Sequence, residues 1–254
     1  MDKDTFILEM GYDFINFAGL LEKEEILKPI ATTLYKVGGK LKSKDSIEYE
    51  FDPIMIEFDD SEKFPKKLSH KQSAMDLKLH FNIELKIDND RFRAGNDPFR
   101  DFEFNIIIKG INKNNQNSKL YYAIHFDRHD LDEEKKAIEE KKAKKPIQPH
   151  PAYHFQFGGN KLHEQELDYG QALFLDSPRI MHHPMDLILG IDFILSNFFP
   201  RIWDKIKGER QYKKILQKYQ QHFIQPYFQS IANSFDSSLP QKWNAQEIYP
   251  QLIR

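Results

Sequence analysis

Hydrophobic and polar residues alternate along several stretches of this chain. In "DLKLHFNIELKI" (76–87), Leu77, Leu79, Phe81, Ile83, Leu85 and Ile87 share one parity, and Lys78, His80, Asn82, Glu84 and Lys86 share the other. The same alternation groups Phe102, Phe104, Ile106 and Ile108 in 101–111, Tyr122, Ile124 and Phe126 in 119–129, and Tyr153, Phe155 and Phe157 in 152–157. Successive side chains of a strand point to opposite faces. The pattern therefore predicts an antiparallel sheet with one packed face and one polar face. "NKNNQNSK" (112–119) is turn chemistry and predicts a hairpin over 101–129. A further strand is predicted over 46–52, ending where Pro53 interrupts it.

Helical spacing appears at both ends. Ile7, Phe14, Phe17, Leu20 and Leu21 fall roughly on one stripe of a helix predicted over 5–28. "HHPMDLILGIDFILSNFF" is apolar nearly all round, which predicts a buried helix starting near Pro184 and Asp186 and stopping at Pro200. A basic helical stretch (201–222) and a third helix (225–235) follow. The expected fold is α+β: a curved antiparallel sheet of about five to six strands packed against N-terminal and C-terminal helices. One domain is expected over 1–254, sheet-rich over 31–159 and helical over 160–254.

Composition narrows the function. Hydrophobic residues make up 40% and charged residues 30%, which suits a globular chain. The net charge of −2 gives no overall attraction for nucleic acid, so such a role would need a local patch, for which 201–218 is the candidate. The absence of Cys excludes disulfides, thiolate metal sites and Cys nucleophiles. The start carries no signal-peptide pattern. The longest apolar run, 185–199, is broken by Asp186, Asp192 and Asn197 and falls short of the roughly 20 residues of a membrane span. A cytoplasmic protein without a membrane segment is expected. The Glu/Lys/Ala-rich run at 130–145 should be an exposed helix or mobile, because it has little apolar area to bury.

Histidine is where chemistry concentrates. Of 10 in the chain, several fall in "YYAIHFDRHD" (121–130) and "HPAYHFQFGG" (150–159). On a strand, His125, Asp127 and His129 share the face opposite Ile124 and Phe126, and His154 takes the corresponding face of a neighbouring strand. Imidazole and carboxylate together are ligands for zinc or manganese, so a metal on His125, Asp127 and His129 is one expectation. Metal-free acid–base catalysis by His125, Asp127, His129 and His154 is the second. A merely wet sheet face is the plain alternative. In "DSPRIMHHPMD" (176–186), Arg179, His182 and His183 enter a helix and could hold an anion such as a phosphate group. Gly158 and Gly159 allow a tight turn. No GxSxG, HExxH or P-loop motif is present.

The segments "HPAYHFQFGG" and "PRIMHHPMDLILGIDFILSNFF" are similar in style to uncharacterised bacterial proteins of mobile-element and defence-associated operons. That resemblance implies a bacterial conflict or accessory protein and carries no catalytic residue with it. Two functions follow as expectations. One is a hydrolase or phosphodiesterase-like enzyme acting on a phosphate-containing ligand. The other is a non-catalytic accessory subunit that binds a partner protein through its aromatic-rich surface. If the first holds, the loop 176–183 should approach the polar sheet face beside His154.

Overall fold

The computed structural model describes residues 3–43, 46–58, 75–112, 114–129, 136, 138–142, 150–158 and 179–252. They form an α+β fold around one antiparallel sheet of seven strands. The three longest strands are β3 (Met75–Ile87), β4 (Phe99–Asn112) and β5 (Asn115–Arg128), each paired with the next. Short β1 (Ile47–Tyr49) and β2 (Ile54–Glu57) both pair with β3 and share one edge. β6 (Tyr153–Phe157) and the two-residue β7 (Ile180–Met181) continue the sheet on the other side of β5. The strand count exceeds the expected five to six because β2 and β7 are too short for alternation to reveal.

Helices from both chain ends cover the apolar face. α1 (Lys3–Leu21) and α2 (Lys28–Leu41) come from the N-terminal part. α4 (Leu187–Phe198), α5 (Pro200–Ile206), α6 (Arg210–Tyr219), α7 (Gln225–Asn233) and α8 (Ala245–Ile248) come from the C-terminal part. The small α3 (Asn89–Ala94) caps the turn between β3 and β4, with Asp88 Oδ1 accepting from the N–H groups of Asp90 and Arg91. One continuous hydrophobic core joins the sheet to these helices. α4 lies directly on β3 and β4: a Cβ on Gly190 would stand 2.8 Å from Ile83 Cδ1.

The sequence reading needs correction at three places. Residues 31–41 are not sheet-rich but complete α2. Its β-branched Thr32, Thr33 and Val37 and its paired Gly38 and Gly39 hide a helix from propensity. α1 and α2 cross so closely that a Cβ on Gly38 would meet the Gly11 carbonyl oxygen at 2.7 Å, so packing stabilises this helix. The helix expected to start near Pro184 begins at Leu187, with Asp186 as its N-cap accepting from Leu189 N–H. Pro200 does not simply stop a helix; it opens α5. The expectation for 130–145 falls largely outside the described residues.

The basic stretch 201–218 is partly engaged by α1 and the turn that follows it. Lys205 pairs with Glu24, and Lys218 with Glu9 and Asp13. Its charge serves tertiary packing at these points. Among the described residues no helix is long and apolar enough to cross a membrane.

Candidate functional site

The polar face of β4, β5 and β6 carries a linked set of side chains. Asp127 lies opposite Glu103 on one neighbouring strand and His154 on the other, and His125 lies opposite Asn105 and Gln156. These cross-strand positions bring the side chains within reach because directly opposed residues have Cβ atoms only about 5 Å apart. Asn105 Nδ2 donates to Glu103 Oε1 at 2.6 Å. That leaves the Asn105 carbonyl oxygen to accept from His125 Nδ1, 2.6 Å away. His125 Nε2 stands 3.1 Å from Asp127 Oδ2. Both His125 nitrogens therefore face oxygen atoms of neighbouring side chains.

The second oxygen of Asp127 extends the chain to His154. Asp127 Oδ1 lies 3.0 Å from His154 Nδ1. The alignment is off that of a good hydrogen bond, and Nδ1 also lies 3.3 Å from the Pro151 carbonyl oxygen. The contact with Asp127 is therefore electrostatic, and Nδ1–H donates to the Pro151 carbonyl oxygen. Burial pushes the Asp127 carboxyl up, but the hydrogen bond from His125 and the nearby His154 outweigh it, and the group stays below its usual range. Burial lowers His154 to about 4, with Asp127 pulling upward and His150 and Arg179 pushing down. His154 is thus neutral at ordinary pH, with Nδ1–H held toward acceptors and Nε2 carrying the lone pair. Its Nε2 makes no hydrogen bond among the described residues.

Two further imidazoles join this set. His150 stands edge-on to His154 at 4.9 Å, and His129 stacks on His150 at 3.8 Å. His129 lies one residue beyond β5 and is fixed there by its N–H donating to the Ala152 carbonyl at 2.7 Å. His125, Asp127 and His154 are brought together on one face of β5 and β6, whereas His129, one residue past β5, joins them only through His150. His80 is not among them; it faces Lys78 and Lys109, and burial with those charges lowers it.

The structure divides the three residues expected to bind an anion. β7 alternates like any strand. Met181, which pairs with His154, takes the polar face together with Arg179, and Ile180 takes the apolar face together with His182. Arg179 is near enough to His154 to disfavour its protonation. His182 instead packs among Phe126, Phe155 and Phe193, and its Nδ1 faces the His183 carbonyl oxygen. Burial and then His183 lower it to about 4. His183 faces the Pro184 carbonyl oxygen. An anion site built jointly from Arg179, His182 and His183 is therefore corrected: only Arg179 reaches the site.

The metal expectation is corrected as well. Among the described residues no three His, Asp or Glu side chains are arranged to hold a metal ion. The donor set explains this: both His125 nitrogens are engaged by Asn105 and Asp127, and His129 is turned against the His150 ring. Asn105, 3% exposed, is the site residue that sequence reasoning missed. Its parity with Glu103 on β4 was the available signal. Gly158 closes the end of β6 at φ +75°, its N–H donating to the Ala123 carbonyl, while Gly159 lies outside the described residues.

Burial of these imidazoles sets a pH dependence. His154 and His182 protonate near 6.5 when unfolded and near 4 when folded, so the unfolded chain binds more protons between those values. Stability is then lost as pH falls from 6.5 toward 4. Asp186 acts oppositely. Burial raises its carboxyl from 3.8 to about 7, so through that window the folded state keeps a proton that the unfolded chain releases. Its contribution rises as pH falls. Asp186→Asn, which keeps a good helix cap, should therefore show a steeper loss of melting temperature between pH 6.5 and 4 than wild type. Parallel pH slopes in thermal melts would contradict this.

Comparison with protein-family models, curated proteins and solved structures finds no match to the chain. The functional reading rests on these residues alone.

Proposed function

We propose that the chain is a metal-independent hydrolase acting on a phosphate-ester substrate, with the His125–Asp127–His154 unit as its acid–base machinery. The observation that carries this reading is one carboxylate shared by two imidazoles, with Arg179 on the same face. Asp127 orients His154 so that Nε2 is free to take a proton from water, and its charge stabilises the imidazolium that results. The His154 imidazolium then returns that proton to the leaving oxygen, while His125, held between Asn105 and Asp127, fixes the carboxylate in place. Arg179 supplies positive charge for the phosphate. Hydrolysis of bis(4-nitrophenyl) phosphate by purified protein in the presence of EDTA tests the reading. Arg179→Ala should raise KM more than it lowers kcat. Absence of turnover above the uncatalysed rate would overturn the proposal.

A second reading, a non-catalytic subunit that binds a partner protein, is favoured by one observation. Tyr122, Phe157 and Ile180 stand 40–48% exposed around the β5–β7 edge of the sheet, where such side chains would serve as anchors.

A further inference from the structure

Apart from the histidine set, a cavity of about 400 Å³ opens between α1, α3 with its following loop, and the junction of α6 and α7. That volume falls within the range of small-molecule sites. The α6–α7 junction is a single π-turn, Gln220–Ile224, closed by Gln225 N–H donating to the Gln220 carbonyl. Such turns are rare and are found frequently at functional sites, because the extra residue re-aims the side chains it carries. Here Gln221 and His222 line the cavity.

The walls combine aromatic surface with polar groups that have capacity to spare. Phe6 and Phe92 stack at 4.2 Å, and the His222 ring stands edge-on to both, at 5.2 and 5.3 Å. Pro98, Pro226 and Trp243 complete the apolar lining. Trp243 is 2% exposed, and its indole N–H has no hydrogen-bond acceptor among the described residues. Burial, and then Lys218, keep His222 below its usual value, so it offers a neutral ring with one donor and one acceptor. Among the described residues Arg93 has one ion-pair contact, exposed and 4.0 Å long, to Asp90. Lys242 adds a second positive charge beside Gly95, its Nζ donating to the Ala94 carbonyl. Among the described residues no carboxylate lines the cavity.

From this combination we infer that the cavity is a binding site for a planar aromatic or heteroaromatic molecule carrying one anionic group. The ring would lie against Phe92 and Trp243, and the anion would meet Arg93, with Asn96 and His222 as hydrogen-bonding partners.

The test is isothermal titration of the full chain with naphthalene-1-sulfonate and, separately, with the neutral 1-naphthalenemethanol. Saturable one-to-one binding of the sulfonate is expected. Arg93→Ala should weaken the sulfonate by about tenfold or more while leaving the neutral compound unchanged. Asn96→Trp, which fills the cavity from an exposed position, should abolish both. Thermal melts of each variant check that it is folded. Asp127→Asn should bind the sulfonate like wild type, so failure of the hydrolase reading leaves this inference intact. It is overturned if the sulfonate shows no saturable binding at millimolar concentration, or if both cavity variants bind it as wild type does.

Discussion

Asp97→Ala is expected to lower stability by about 3–5 kcal/mol, the cost of removing one member of a buried ion pair. Asp97 lies in the turn before β4, with its side chain 14% exposed and that of Arg128 13% exposed. Its Oδ2 accepts from Arg128 Nη2, and its Oδ1 accepts from the Tyr153 hydroxyl and from Phe99 N–H. Its own carbonyl accepts from Arg91 Nε at 2.7 Å. Arg128 follows Asp127 on β5, and Tyr153 precedes His154 on β6. One carboxylate thus ties together the two strands that carry the candidate site. Truncation leaves a guanidinium and a phenol buried with fewer partners, and desolvation is no longer offset. For a chain of this size the loss corresponds to a fall of roughly 6–20 °C in melting temperature. Asp97→Asn keeps an acceptor for Tyr153 and Phe99 and should lie between alanine and wild type. A loss below about 1 kcal/mol for the alanine variant would place the pair with solvent-screened surface bridges.

The parts of the fold that sequence shows well are those where alternation runs long enough to fix a face. β3 repeats the pattern from Leu77 to Ile87, and β5 holds Ile124 and Phe126 opposite His125 and Asp127, so sheet and site face emerge together. α2 was hidden because a close helix crossing at Gly11 and Gly38, not local propensity, stabilises it. The grouping of Arg179 with His182 failed for a comparable reason. Three residues apart suggests neighbours at a helix start, whereas in a strand an odd spacing separates faces, and β7 is only two residues long. Asn105 was legible in parity but not in role. Its importance comes from the registers Glu103↔Asp127 and Asn105↔His125, which no single strand displays.

The shared carboxylate is the centre of the proposed chemistry, and Asp127→Asn addresses it with little change of shape. Asparagine can still accept from His125 through its oxygen, but its amide would present an N–H where the Asp127 Oδ1 charge stands 3.0 Å from His154 Nδ1. His154 would then present an unprotonated Nδ1 to that amide, and its proton would move to Nε2. The nitrogen that should act as base becomes a donor, and the negative charge that stabilises the imidazolium is gone. The decisive measurement is the rate of bis(4-nitrophenyl) phosphate hydrolysis by Asp127→Asn and wild type side by side, at a temperature where melts show both folded. A loss of about 10²–10⁴-fold in kcat, with KM nearly unchanged, is the expected result. Turnover within threefold of wild type in the folded variant would contradict the account and leave the histidine set a structural network.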